Sequence, residues 1–202
     1  MKQVWGAPAS LEETSVLPVI GTKELVASLP GQLGLGPDST IVIPACAYPT
    51  YRVGAQLAGA KIVAVNEPDE VDVAPDLIWI NSPANPSGRV LDLDEMKAWV
   101  DLARSTGAVL ASDECYGEFV WEGESVSVLD ERVNSGDVTG LLACLSMSKR
   151  SNMAGYRAGF AVGDAGLTSE LLTVRKHSGL MIPAPVAVSY THLRAHETVL
   201  DL

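Results

Sequence analysis

Six short runs of β-branched and aliphatic residues, separated by segments of helical period, constrain this chain more than any other feature. The runs are Thr40 to Ile43, Lys61 to Val65, Leu77 to Asn81, Ala108 to Asp113, Leu141 to Ser146 and Ala158 to Val162. Between them, Glu24 to Leu33 carries Leu25, Val26, Leu29 and Leu33 at near-helical spacing, Pro49 to Leu57 opens with a proline suited to a first turn, and Asp92 to Arg104 opens on an aspartate cap. Strands that alternate with helices in this way read as a parallel sheet joined by crossover helices. The expected fold class is therefore α/β with a mainly parallel sheet. No shift in composition between residues 20 and 185 suggests a domain boundary. The acidic stretch Glu67 to Asp76 reads as a solvated loop, and the polar stretch Asp130 to Gly140 as a surface connection.

Size and charge narrow the function. A chain of 202 residues can bury about 70% of its unfolded surface, so its core needs no staple. With 14 Lys+Arg against 25 Asp+Glu the net charge is −11, and the longest basic run is Arg175-Lys176-His177, which reads as a helix end favoured by the dipole. Nucleic acid is not an expected partner, because phosphate recognition needs clustered Lys/Arg. Nor is a membrane, since charged, Gly or Pro residues interrupt every apolar run well short of about 18 residues. The start, Met1 to Gly6, has no apolar signal core, so the expected compartment is the cytoplasm. Cys46, Cys115 and Cys144 are odd in number and widely spaced, which rules out a disulfide framework and reads as three small buried hydrophobes. No metal site is expected: His192 and His196 have the i, i+4 spacing of a metal pair but lack a third ligand.

Ligands of open parallel sheets bind where strand ends meet the loops that follow, and five such junctions are rich in polar residues. Gly21-Thr22-Lys23-Glu24 opens a helix after the apolar run Val16 to Ile20, and a helix start offers N–H groups and a positive dipole end to an anion. Tyr48-Pro49-Thr50-Tyr51 places two aromatics three residues apart, suited either to stacking on a flat ligand or to plain packing. Asn81-Ser82-Pro83-Ala84-Asn85-Pro86-Ser87-Gly88 sets two amides beside prolines, which suits rigid amide placement as well as ordinary turn chemistry. Asp113 closes an apolar strand, where a carboxylate is costly without a cation partner. Ser146-Met147-Ser148-Lys149 closes another, and a lysine buried there would have a depressed pKa and a nucleophilic amine; hydroxyls and Arg157 beside it suit a phosphate.

Together the five junctions resemble the class I and II aminotransferases of fold type I over about residues 14 to 188. The strings that carry the likeness are Asn-Pro-Ser-Gly at 85 to 88, Ser-Asp-Glu-Cys-Tyr at 112 to 116, and Ser-Met-Ser-Lys through Gly-Tyr-Arg-Ala-Gly-Phe at 146 to 160. The resemblance implies the cofactor pyridoxal 5'-phosphate. It makes Lys149 the lysine that holds the cofactor aldehyde covalently and moves the substrate α-proton. Asp113 matches the carboxylate that keeps the pyridine nitrogen protonated, Asn85 and Tyr116 the pair on the phenolic oxygen, and Tyr48 the ring that stacks on the pyridine. Ser146 and Arg157 match phosphate ligands, joined by Thr22 and Lys23. The implied activity moves an amino group between an amino acid and a 2-oxo acid.

Ile20 to Leu25, Ala47 to Tyr51, Ser148 to Arg157 and Arg175 to Gly179 with Pro183 to Pro185 further resemble the succinyldiaminopimelate aminotransferases, which implies N-succinyl-LL-2,6-diaminopimelate and 2-oxoglutarate as substrates. Another fold-type I enzyme, such as an aspartate-type aminotransferase or a C–S lyase, or an inactive fragment, would fit the same motifs. A complete member of the family is roughly twice this long and is expected to work as a homodimer. Residues 1–188 are accordingly expected to be part of a large cofactor-binding domain. Residues 189–202 do not continue the pattern and resemble a translated sequencing-adapter peptide.

Overall fold

The aliphatic runs find one another in a single seven-stranded sheet. The structure, a computed structural model, describes Leu11 and residues 15–188. In chain order the elements are β1 (Val16–Val19), α1 (Thr22–Gln32), β2 (Thr40–Pro44), α2 (Thr50–Ala58), β3 (Lys61–Val65), β4 (Leu77–Asn81), α3 (Leu93–Thr106), β5 (Val109–Asp113), α4 (Glu131–Asn134), β6 (Leu141–Ser146), α5 (Met147–Arg150), β7 (Gly159–Gly163) and α6 (Ala165–His177). The strand order is β1-β7-β6-β5-β4-β2-β3. Strands β2 to β6 are parallel, as expected, whereas β7 runs antiparallel to both β6 and β1. The link from β6 to β7 holds only single helical turns. It contains no crossover helix to carry the chain back, so β7 returns directly alongside β6.

Alternation along the strands feeds two cores, one on each face. In β4, Ile78 and Ile80 join Met96, Trp99 and Val100 of α3. Leu77 and Trp79 join Leu25 and Leu29 of α1, Tyr51 of α2 and Leu171 of α6 on the other face. α3 starts as its sequence suggests: Asp92 accepts from the backbone N–H groups of Asp94 and Glu95, and Glu95 accepts from that of Asp92. α1 and α2 cross closely at Gly54, where a Cβ would lie 2.7 Å from the Val26 carbonyl oxygen. Only a glycine allows that approach.

Arg175, Lys176 and His177 form the last turn of α6, as expected of a basic helix end, but Arg175 does not face solvent, and two other local expectations are corrected. Arg175 is fully buried and reaches from α6 to α1, where its Nη2 donates to Glu24 Oε2 at 2.6 Å and its Nη1 to Glu24 Oε1 at 3.1 Å. Basic composition at a helix end does not reveal which side chain faces inward. Breaking the pair from the acidic side strands a buried guanidinium, so Glu24→Ala is expected to lower the unfolding free energy by roughly 3–5 kcal/mol. Arg175→Met, which removes the charge and keeps apolar volume, is expected to lower it less. Urea unfolding of both variants checks the order. The stretch Asp130 to Gly140 is likewise not merely superficial: it contains α4, and the buried Asn134 side chain donates to the Val128 carbonyl at 3.1 Å. The cysteines also divide, Cys144 being buried, Cys115 half-buried and Cys46 exposed.

Among the described residues no helix is long and apolar enough to cross a membrane, and no cluster of three metal-ligating side chains occurs. The tail 189–202, with His192 and His196, lies outside the described residues.

Candidate active site

The C-terminal ends of β4, β5 and β6 and the N-terminal ends of α1 and α2 surround a cavity of about 290 Å³. All nine residues singled out from the sequence line it: Thr22, Lys23, Tyr48, Asn85, Asp113, Tyr116, Ser146, Lys149 and Arg157. They come from segments up to 135 positions apart (157 − 22), so the fold itself gathers them.

At its floor, Asp113 is buried at the end of β5. Tyr51 donates its hydroxyl to Asp113 Oδ2 at 2.8 Å, and the Cys115 backbone N–H donates to Oδ1 at 3.2 Å. Neither of these partners is a cation, so among the described residues the charge expected against Asp113 is not supplied by them. Burial pushes the Asp113 carboxyl above the usual carboxylate range, against the opposing pull of its bonds from Cys115 and Tyr51. Burial, and then the nearby Asp113 charge, hold the Tyr51 phenol well above its ordinary value, so Tyr51 remains a donor. The same two causes push the Cys115 thiol up.

The same cavity also gathers groups suited to an anion. Gly21 caps α1 without any side-chain bond to the first turn, leaving backbone N–H groups there available to a ligand. Its φ of 74° favours a glycine, and the Arg157 guanidinium lies close beside it. Arg157 Nη1 also donates to the Ala154 carbonyl at 2.9 Å. Ser146 is buried at the end of β6, and its hydroxyl accepts from the Ser148 N–H at 3.1 Å, starting α5. Lys23 holds its ammonium 4.9 Å from the centre of the Tyr48 ring.

Lys149 corrects one expectation. It is exposed, on the single turn of α5, with its Nζ 5.9 Å from the centre of the Tyr116 ring. Tyr116 is half-buried, and burial, followed by Cys115 and Asp113, raises its phenol.

Sequence reasoning did not assign Tyr51, Asn81, Cys115 or Ser148, which also line the cavity. The string Tyr48 to Tyr51 contained the signal for Tyr51, but nothing local distinguished a ring that stacks from one that anchors a carboxylate.

Glu114 lies next to this floor. Burial pushes it up to about 7, opposed by the backbone N–H of Val128 and the Ser127 hydroxyl, which favour its ionised form. An acid raised from 4.5 to about 7 on folding binds its proton more tightly in the folded state. It thus contributes stability below about pH 4.5 that is lost as the pH rises through 7. The loss is expected to be about 3 kcal/mol, and Glu114→Gln is expected to flatten it. Urea unfolding from pH 4.5 to 8 measures both curves.

The model of the family "aminotransferase class I and II" matches residues 8–190. The chain belongs to this family. A Mycobacterium tuberculosis protein named as a probable aminotransferase is 53% identical over 177 residues, covering 87% of this chain and 42% of that protein. A Streptomyces rimosus protein, the 4-dedimethylamino-4-oxo-anhydrotetracycline transaminase OxyQ, is 51% identical, covering 88% and 50%. Among solved structures, a Thermus thermophilus protein described as a probable N-succinyldiaminopimelate aminotransferase superposes with a TM-score of 0.76 at 28% identity, covering 85% and 49%. The chain thus spans about half the length of the curated relatives it matches.

Class I and II aminotransferases depend on pyridoxal 5'-phosphate, and the cavity fits that group on its own geometry. A buried carboxylate with no cation partner suits a protonated pyridine nitrogen. An uncapped helix start beside a guanidinium and a buried hydroxyl suits a phosphate dianion.

Proposed function

We propose that this chain is the cofactor-binding part of an aminotransferase that moves an amino group between an amino acid and a 2-oxo acid. The observation that carries the reading is the buried Asp113 carboxylate, which has no cationic partner among the described residues and lines the same cavity as the anion-suited start of α1, Ser146 and Arg157. In this reading Thr22, Lys23, Ser146 and Arg157 bind the phosphate, and Tyr48 stacks on the ring. Asn85 and Tyr116 donate to its phenolic oxygen, while Asp113 holds the proton on the pyridine nitrogen. Pyridoxal 5'-phosphate, when bound, supplies an electron-accepting ring that withdraws charge from the substrate α-carbon. The amine of Lys149 would anchor the group covalently and, once freed, would be the base that takes the substrate α-proton and hands it on to the group's carbon. Tyr116 steadies the lysine, its ring lying beside Nζ.

The proposed substrate pair is N-succinyl-LL-2,6-diaminopimelate and 2-oxoglutarate, in lysine biosynthesis, with the complete protein a cytoplasmic homodimer. Two things support the substrate: the string likeness to the succinyldiaminopimelate enzymes and the Thermus thermophilus structural neighbour. A second reading, amination of a ketone on a polycyclic scaffold, is favoured by 51% identity to the Streptomyces rimosus transaminase. Single-turnover amino transfer by the complete protein, measured with each donor in turn, separates the two. Transfer from succinyldiaminopimelate to 2-oxoglutarate at the fastest rate is expected. Release of ammonia or pyruvate without an oxo acid would instead indicate a lyase.

A further inference from the structure

The reading above places Asn85 and Asp113 on the same ring but leaves open what fixes one relative to the other. They leave different strands, β4 and β5, and sit 28 positions apart (113 − 85). One side chain bridges them. Asn81, the last residue of β4, is buried. Its Nδ2 donates to the Asp113 carbonyl oxygen at 2.8 Å and to the Pro83 carbonyl oxygen at 3.2 Å. Its Oδ1 accepts from the Asn85 backbone N–H at 2.8 Å. Both donors of the amide and one acceptor site are thus in use, each on a backbone group.

Sheet pairing alone would not do this. Asn81 and Asp113 are neighbours in the register of β4 and β5, and Ser82 N–H donates to the Asp113 carbonyl at 3.2 Å. Beyond Ser82 the ladder ends and the chain turns through Pro83 to Gly88. The Asn85 N–H donates to Asn81 Oδ1, and with the bond from Asn81 Nδ2 to the Pro83 carbonyl it joins that turn to the end of the sheet. Tyr51 restrains the same assembly from the other side through Asp113 Oδ2.

We propose that Asn81 is a positioning residue: its amide sets the separation between the residue that grips the phenolic oxygen, Asn85, and the residue that grips the pyridine nitrogen, Asp113. The inference rests on the cofactor reading of the cavity. A rigid ring contacted at both edges binds tightly only if those two contacts are pre-set, so loosening the bridge weakens binding without removing any group that touches the ring.

The test uses Asn81→Ala and Asn81→Asp, each titrated with pyridoxal 5'-phosphate against the wild-type chain. Absorbance reports the lysine-bound cofactor, and amide hydrogen exchange is followed at Asn85. In Asn81→Ala, affinity is expected to fall about tenfold, the scale of one buried hydrogen bond lost, with faster exchange at Asn85. Asn81→Asp keeps the acceptor and the size of the side chain, so exchange at Asn85 stays slow. Only its protonated form can donate toward Asp113, so the affinity gap to wild type is expected to narrow as the pH falls. A merely structural role would change melting temperature while leaving affinity per folded molecule and its pH dependence at wild-type values, and that result overturns the proposal. No absorbance band in the wild-type chain would overturn the cofactor reading first and the positioning role with it. A band of equal affinity in wild type and both variants overturns the positioning role alone.

Discussion

Replacing Lys149 by alanine is expected to abolish both the absorbance band of the lysine-bound cofactor and turnover by the complete protein, the latter by about 10⁴-fold or more. The size of the effect follows from the number of tasks one amine performs. In the proposed reading it would anchor the cofactor, yield its place to the substrate and then move the α-proton; among the described residues the other amine lining the cavity is that of Lys23, which sits over the Tyr48 ring. The fold should tolerate the change, because Lys149 is exposed on a single helical turn and supports no core cluster. Circular dichroism and melting temperature are therefore expected to match wild type. A band that persists in Lys149→Ala would mean that another group holds the cofactor, and the assignment would fail.

Asp113→Asn is expected to move stability and activity in opposite directions. In the ligand-free chain the carboxylate is buried without a cation, and its pKa is raised by that burial. A carboxyl whose folded-state pKa is raised contributes stability at low pH that disappears as the pH climbs through the folded value. At neutral pH the neutral amide should leave the chain as stable as wild type or more so, and should reduce the fall in stability with rising pH. With cofactor the sign reverses. In the proposed role the variant could not hold a proton on the pyridine nitrogen by charge, and loss of one partner from a buried ion pair is worth roughly 3–5 kcal/mol, or about 10²–10³-fold or more in rate. Denaturation curves across pH and turnover of the complete protein measure the two halves. Unchanged turnover would remove Asp113 from the proposed chemistry.

Much of this was legible along the chain because the carriers are local. The β2 to β6 runs are apolar or β-branched over four to six residues, and their ends coincide with polar strings. The site residues stand at those ends because loops after parallel strands open on one edge of the sheet. Illegible features share a different cause: each is a choice among side chains of similar local character. Tyr48 and Tyr51 occupy one string, yet one is exposed at the cavity and the other is buried against Trp79 and bonded to Asp113. Arg175, Lys176 and His177 are consecutive, yet only Arg175 turns inward to meet Glu24. Strand β1 is four residues long, too short for alternation to distinguish it from any apolar segment.

The alternation of aliphatic runs with helical segments determined the class of fold on its own, because strand and helix periods are written into consecutive residues and need no partner to be read. The polar strings at the run ends likewise marked where chemistry would gather. Only the tertiary structure decided that β7 runs against its neighbours, that Asp113 meets the Tyr51 phenol and the Cys115 N–H, that Lys149 is exposed, and that Asn81 ties Asn85 to Asp113. These are facts about which groups face one another across the sheet. Burial and partner choice depend on residues far away in sequence, whose positions no local pattern encodes.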